Sequence, residues 1–175
     1  MKIPSMLAGV AGEYFVAAEL SRRGYIASIS LRNTRGIDFL ATNQEGTRSV
    51  TIQCKANQLS QKEWMLNEKA ENFASENHFY VFVVLRGIQD RPFFHIVPSK
   101  EVARYVKTSH NEWFSTPGRV GQKHQDTTMR KFSDEDDKFF EKWISLVCNS
   151  LCDFVFLVSS WCRCGFRCGF RCGFP

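Results

Sequence analysis

The chain has 175 residues, enough for one domain with a hydrophobic core and too few for two domains of ordinary size. Apolar residues make up 43% of it and aromatic residues 14%, which excludes a disordered protein and predicts a packed fold. The net charge of +5 permits a polyanionic partner without requiring one.

The N-terminal segment and the cysteines indicate the compartment. Gly9, Gly12 and Glu13 interrupt the first apolar stretch, so no secretory signal is predicted. Of the seven cysteines only Cys54 lies in the body of the chain, which is no disulfide framework. No stretch of the first 140 residues is long and apolar enough to cross a bilayer. We therefore expect a cytoplasmic protein without stable membrane association.

Hydrophobic periodicity predicts the elements in chain order. It indicates a helix over 6–23, strands over 25–31, 36–42 and 49–55, a helix over 61–75, and strands over 78–85 and 93–97. The first helix is predicted to bury the face formed by Leu7, Val10, Ala11, Tyr14, Ala17 and Ala18. The nearly continuous apolar run 80–84 suits a central strand that is buried on both faces.

The C-terminal part is predicted to be largely helical or irregular. A short helix is expected from Ser99 to about Lys107, then a long polar loop over 111–131. Ser133 is expected to cap a last helix that holds Phe139, Phe140, Trp143 and Ile144. The order of elements predicts an α/β fold, one mixed sheet flanked by helices, with an αβββαβ core and C-terminal helical additions. We assign residues 1–148 to this single domain.

Residues 149–175 differ in kind from the rest of the chain. The sequence Arg-Cys-Gly-Phe occurs three times in tandem over 163–174, a period too short for a structural repeat. The segment is either a translated simple repeat or an attachment cluster for a metal or lipid. The recurring glycines oppose a helix, so we expect the tail to be unstructured or non-native, and dispensable.

A predicted hairpin holds the residues best suited to chemistry. Alternation along 36–42 places Asp38 on the face opposite Phe39 and Ala41. Along 49–55, Val50, Ile52 and Cys54 share one face, and Thr51, Gln53 and Lys55 share the other. A carboxylate on one strand thus stands beside an amide and an ammonium on the next. Charges at the edge of a core favour pairing or metal binding.

This set of side chains suits phosphodiester hydrolysis. Mg²⁺ prefers oxygen ligands, which Asp38 and the Gln53 carbonyl would supply, and Mn²⁺ is a plausible substitute. Lys55 would orient the attacking water and share negative charge. Lys55 as a plain edge-strand lysine is the structural alternative. Cys54 is predicted to be a small core residue.

The segments 36–41 (Gly-Ile-Asp-Phe-Leu-Ala) and 52–55 (Ile-Gln-Cys-Lys) resemble the PD-(D/E)XK nuclease superfamily. The resemblance covers residues 6–85 and implies a restriction-endonuclease-like, Holliday-junction-resolvase-like core. It also implies that Glu13 on the first helix is a further catalytic residue and metal ligand. Gln53 replaces the family's acidic residue, and Ile37 stands where the nominal proline would be. Glu19, by contrast, is predicted to form a surface pair with Arg22 and Arg23.

Several basic residues are candidates for contact with DNA. Arg32 and Arg35 precede Asp38 and either bind phosphates or form a solvated turn. Arg119 and Lys123 lie in the predicted long loop, near aromatic residues that could stack on bases or cap the core. We therefore expect a DNA endonuclease, and allow for a homodimer. The alternatives are a nuclease-fold module that only binds nucleic acid, and a membrane-surface protein tethered by the tail.

Overall fold

The computed structural model describes residues 3–30, 36–58, 61–118 and 121–146. The predicted tail and the arginines at 32, 35 and 119 therefore lie outside the described residues. The elements follow the order α1 (Ser5–Ser21), β1 (Ile26–Ile29), β2 (Phe39–Thr42), β3 (Ser49–Asn57), β4 (Glu63–Asn67), a 3₁₀ helix (Glu68–Glu71), β5 (His78–Val84), β6 (Phe93–Pro98), α2 (Ser99–Ser115), β7 (Met129–Ser133) and a second 3₁₀ helix (Trp143–Leu146).

Five strands form one mixed sheet in the order β1-β2-β3-β5-β6. The pairs β1–β2, β2–β3 and β5–β6 are antiparallel, while β3 and β5 run parallel. A separate two-stranded sheet pairs β4 with β7. The predicted fold class, α/β around one mixed sheet, is confirmed.

Strand β5 is buried on both faces, as its apolar run predicts. One face belongs to a core cluster shared with α1, in which Phe79, Val81 and Val83 pack against Val16 and Leu20. The other face belongs to a second cluster, made with β4, β7 and α2, that includes Tyr80, Phe82, Trp64, Val102 and Phe132. The sheet is thus the middle layer of a three-layer fold.

The second cluster covers only part of the sheet. It contains side chains of β5 and β6 but none from β1, β2 or β3 among the described residues. On β2, Phe39 and Ala41 are buried toward α1, whereas Leu40 on the opposite face is 44% exposed. Within the described residues, the half-sheet β1–β3 therefore has one face packed against α1 and one open face, which no core cluster covers.

Two element predictions are wrong in type. Residues 61–75 form β4 and a 3₁₀ helix rather than an α-helix, because Trp64 and Leu66 face the core as alternate residues of a strand paired with β7. The region after Ser133 turns back on β6 and, within the described residues, forms only the 3₁₀ helix Trp143–Leu146 instead of the predicted α-helix. There the buried Asp134 carboxylate accepts hydrogen bonds from the Phe139 amide (3.0 Å) and the His95 ring (2.6 Å).

The predicted long loop over 111–131 is also wrong at both ends, since α2 extends to Ser115 and β7 begins at Met129. Helix α1 ends at Ser21 but buries a different face from the predicted one. Its buried residues are Ala8, Gly12, Val16, Glu19 and Leu20, and Leu7 and Tyr14 are exposed. The helix is apolar or small on nearly every side, so periodicity could not select the packed face. Within the described ranges, no helix combines the length and apolar character that a membrane span requires.

Glu19 is the second correction on α1, because it is buried and not a surface residue. Its carboxylate contacts Arg22 and Arg23 on its own helix and Arg91 before β6, the last at 3.2 Å. Arg91 also contacts Glu141 at 3.2 Å. Burial raises the pKa of Glu19, but the hydrogen bonds from Arg23 and Arg91 outweigh it and hold the pKa below its usual value. The ion pairs from Glu19 through Arg91 to Glu141 thus join α1 to the segment after β7.

Candidate active site

The β2–β3 register places Asp38 opposite Gln53. Phe39 pairs with Ile52 in the antiparallel ladder, and the ladder continues one residue further, where the Asp38 amide donates to the Ile52 carbonyl at 2.8 Å. Asp38 also accepts a hydrogen bond at its own carbonyl from the Ser30 amide at 2.8 Å. The backbone of Asp38 is therefore held from both sides at the start of β2.

The Asp38 carboxylate is fixed by a backbone donor. The Cys54 amide donates to Oδ2 of Asp38 at 2.7 Å, a short distance that is typical of a charge-assisted hydrogen bond. Among the described residues this is the sole hydrogen bond to that carboxylate. The bond orients Asp38 toward β3.

Gln53 lies beneath the turn that leads into β2. Gly36 has a φ of +66°, and a Cβ added there would stand 3.7 Å from Oε1 of Gln53. A larger residue at position 36 would be strained by this positive φ, although its Cβ would make only ordinary van der Waals contact with the amide. The glycine thus lets the chain pass close to Gln53, which is half-buried, as are Asp38 and Lys55.

The predicted alternation in β3 is confirmed. Val50, Ile52 and Cys54 are buried on the α1 side, while Thr51, Gln53 and Lys55 are half-buried on the opposite face. On that face the neighbouring β5 residues, Tyr80 beside Gln53 and Phe82 beside Lys55, are buried under the second core cluster. The candidate residues therefore lie where the open half of the sheet meets the covered half.

The pKa of the Cys54 thiol depends on the charges that surround it. Burial raises its pKa well above the usual value, the negative charges of Asp38 and Glu13 raise it further, and the positive charge of Lys55 lowers it. All three ionisable candidates thus act on one sulfur atom. Cys54 itself is a free, buried core residue, as predicted.

Close packing of α1 on β3 sets the position of Glu13. A Cβ added at Gly12 would lie 2.6 Å from the Ala56 Cβ and 3.5 Å from the Cys54 Sγ. Helix and strand therefore touch at Gly12, and Glu13, the next residue, lies half-buried beside this contact. A glycine inside a predicted helix, such as Gly12, is a sequence signal for this kind of close approach.

The donor set can be tested against a magnesium ion. Within the described ranges, no three His, Cys, Asp or Glu side chains lie close enough together to hold a metal ion. Mg²⁺ is commonly bound through one or two carboxylates and keeps several waters, so a smaller set of hard oxygen ligands suffices. Asp38 and Gln53, which face each other across the hairpin, fit that requirement, and the negative charge of Glu13 acts on the Cys54 thiol next to Gln53.

Lys123 is not brought to these residues. It is exposed in the segment between α2 and β7, where its neighbour His124 stacks on Trp113 with ring centroids 4.1 Å apart. No contact within the described parts of the chain joins Lys123 to Asp38, Gln53 or Lys55.

Comparison with known proteins gives likenesses of fold only. No family model and no curated protein matches the sequence. The chain is similar to the bacterial homing endonuclease I-Ssp6803I, with 12% identity over 93% of this chain and 97% of the other, at a TM-score of 0.46. It is also similar to Hjc, a Holliday junction resolvase of Archaeoglobus fulgidus, with 13% identity over 68% and 85% of the two chains, at a TM-score of 0.37.

Proposed function

We propose that the chain is a metal-dependent nuclease that hydrolyses phosphodiester bonds of DNA. One observation supports this above all. The Asp38 carboxylate, held by the Cys54 amide, stands across the hairpin from Gln53, with Lys55 on the same face. A fixed carboxylate, an amide oxygen and an ammonium at the border of an open sheet face are the groups that metal-assisted phosphodiester hydrolysis needs.

The roles follow from the chemistry of each group. Asp38 and Gln53 would hold a Mg²⁺ ion, with Mn²⁺ as a substitute, and Glu13 would contribute the second negative charge. When bound, such an ion lowers the pKa of a coordinated water and stabilises charge on the phosphate. Lys55 would orient the attacking water and share the negative charge that develops in the transition state.

A binding module without catalysis is the second candidate. It is favoured by Gln53, which carries no charge where the resembled motif has an acid, and by the absence, among the described residues, of any group of three or more His, Cys, Asp or Glu side chains that could hold a metal ion. Such a module would hold DNA equally well with Mg²⁺ or with EDTA and would leave the DNA intact.

The deciding experiment incubates the purified protein with supercoiled, linear, branched and single-stranded DNA in Mg²⁺, Mn²⁺ or EDTA. We expect cleavage with either metal and none in EDTA. Asp38→Ala and Lys55→Ala should each lower the rate by at least about 100-fold, while Asp136→Ala and Lys107→Ala, matched changes at exposed positions, should not. Cleavage by both active-site variants at the wild-type rate would remove the assignment.

A further inference from the structure

The register of the β1–β2 and β2–β3 ladders identifies the side chains that lie on the open face of β1–β3. In the ladders Ser28 pairs with Leu40 and Leu40 with Thr51, while Ile26 pairs with Thr42 and Thr42 with Ser49. Cross-strand partners point to the same side of a sheet. These six residues therefore form two rows on the face that also holds Asp38, Gln53 and Lys55.

This face is rich in hydroxyl groups. Ser28, Thr42, Ser49 and Thr51 supply four. Thr42 Oγ1 and Ser49 Oγ form a 3.0 Å hydrogen bond, and the Thr51 hydroxyl is already engaged by the Asn77 carbonyl (3.3 Å) and the His78 ring (2.9 Å). Serine and threonine hydroxyls are common donors to phosphate oxygens. Of the described residues on this face of the three strands, Asp38 alone is a carboxylate. Outside the metal site, nothing on these strands repels a polyanion.

Two large apolar side chains lie among the hydroxyls. Leu40 is 44% exposed and Ile26 56% exposed, although neither joins a core cluster. Leu40 occupies the middle of the row next to the Asp38–Gln53 row. Rows on one face are about 7 Å apart along the strands, close to two base steps of a nucleic-acid strand. Leu40 is thus placed to meet a nucleotide about two steps along the strand from a phosphate bound at Asp38.

We propose that the open face of β1–β3 is the surface on which the DNA strand flanking the cleaved phosphate lies. The hydroxyls of Ser28, Thr42 and Ser49 bind its phosphates, and Leu40 packs against its sugars or base edges. The choice of DNA as the occupant rests on the proposed function, whereas the location of the contact rests on the register, the exposure and the absence of further carboxylates on these strands.

The test changes charge at one position on each face of the half-sheet. Leu40→Glu and Leu40→Lys alter the open face. Ile29→Glu and Ile29→Lys alter a matched position, because Ile29 is 46% exposed and pairs with Phe39 on the α1 side. The affinity of each variant for a fluorescein-labelled 20-base-pair duplex and its single strand is measured by anisotropy, in Ca²⁺ and at several salt concentrations.

We expect Leu40→Glu to weaken binding at least about tenfold, and Leu40→Lys to strengthen it with a salt slope steeper by about one unit. The Ile29 pair should change affinity less than about twofold in either direction. Urea unfolding confirms that each variant is folded, and Ser28→Glu, in the same row as Leu40, gives a second variant that should weaken binding in the same way. Unchanged affinity in the folded Leu40 and Ser28 variants, or equal effects at Ile29, would overturn the proposal.

The outcome also separates this inference from the proposed function. Charge-dependent binding at Leu40 without any cleavage in Mg²⁺ would support the surface and contradict the nuclease activity. Cleavage that depends on Asp38, combined with affinities indifferent to charge at Leu40, would support the activity and overturn the surface.

Discussion

The Cys54 amide donates to Oδ2 of Asp38 across 2.7 Å, so the backbone beside a buried thiol fixes the carboxylate of the candidate site. Because the side chain of Cys54 packs under α1 while its amide holds Asp38, the core of the protein and the geometry of the site depend on the same residue. Substitutions at Asp38 should therefore affect both stability and activity, and the two effects can be separated.

Asp38→Asn and Asp38→Ala should both lose cleavage, since each removes the charge that would hold the metal. They should differ in stability. Asparagine keeps an oxygen that can accept from Cys54, whereas alanine leaves the amide unpaired at a cost of about 1–3 kcal/mol. Urea unfolding beside a cleavage assay measures both effects. Wild-type cleavage by Asp38→Asn would contradict a ligand role for this carboxylate.

Gln53→Glu should bind Mg²⁺ at least about tenfold more tightly, because a second negative charge would lie next to the ion at short range. Activity should rise at metal concentrations that do not saturate the wild type. Isothermal titration calorimetry gives the affinity, with Gln125→Glu at an exposed position as the control for added charge. Equal affinities in the wild type and Gln53→Glu would count against ligation by residue 53.

Gly12→Ala should destabilise the protein by about 1–3 kcal/mol, because the new methyl group would overlap the Ala56 Cβ. Ala56→Gly in the same chain should restore much of this loss by removing the opposing methyl. Gly9→Ala on the same helix meets nothing within 4 Å and should stabilise by up to about 1 kcal/mol. A double-mutant cycle by chemical denaturation measures the coupling. Additive effects of Gly12→Ala and Ala56→Gly would contradict the close contact.

The hairpin could be predicted from the sequence because its signals are local. Alternate apolar residues around Gln53 and Lys55 determine which side faces the core, and the register then brings Asp38 to Gln53. Strand β4 could not be predicted in this way. Trp64 and Leu66 are compatible with either a helix or a strand, and the choice is made by pairing with β7, far along the chain. The sequence around Glu19 predicted a surface ion pair on its own helix. It could not show that Arg91, which lies before β6, also contacts this buried carboxylate.

His78 should make stability depend on pH. The residue is 1% exposed, and burial lowers its pKa to about 4. The unfolded chain, with an ordinary histidine pKa near 6.5, binds the proton first as pH falls. The stability contributed by neutral His78 is therefore present above about pH 6.5 and is lost progressively down to about pH 4, by at most about 1.4 kcal/mol per pH unit.

His78→Gln should remove the contribution of residue 78 to the pH dependence of the unfolding free energy. The glutamine side chain can still hydrogen-bond to the Thr51 hydroxyl, which lies 2.9 Å from the His78 ring. The measurement is the unfolding free energy of both proteins between pH 4 and 7. His110→Gln, at a histidine that pairs with the exposed Asp126, serves as the control. An identical pH dependence in the wild type and His78→Gln would show that His78 is not protonated on unfolding.

The pairing of β4 with β7 has a consequence for synthesis on the ribosome. The partners are Glu63 with Ser133 and Asn67 with Met129, so the second core cluster stays incomplete until Phe132 has been translated. Until then the nascent chain exposes the aromatic side chains of Trp64, Tyr80 and Phe82, a surface that binds holdase chaperones and favours aggregation. Release of the chain before residue 129 would leave that surface bare, so we expect such fragments to be removed by proteases rather than to accumulate as a folded half-domain.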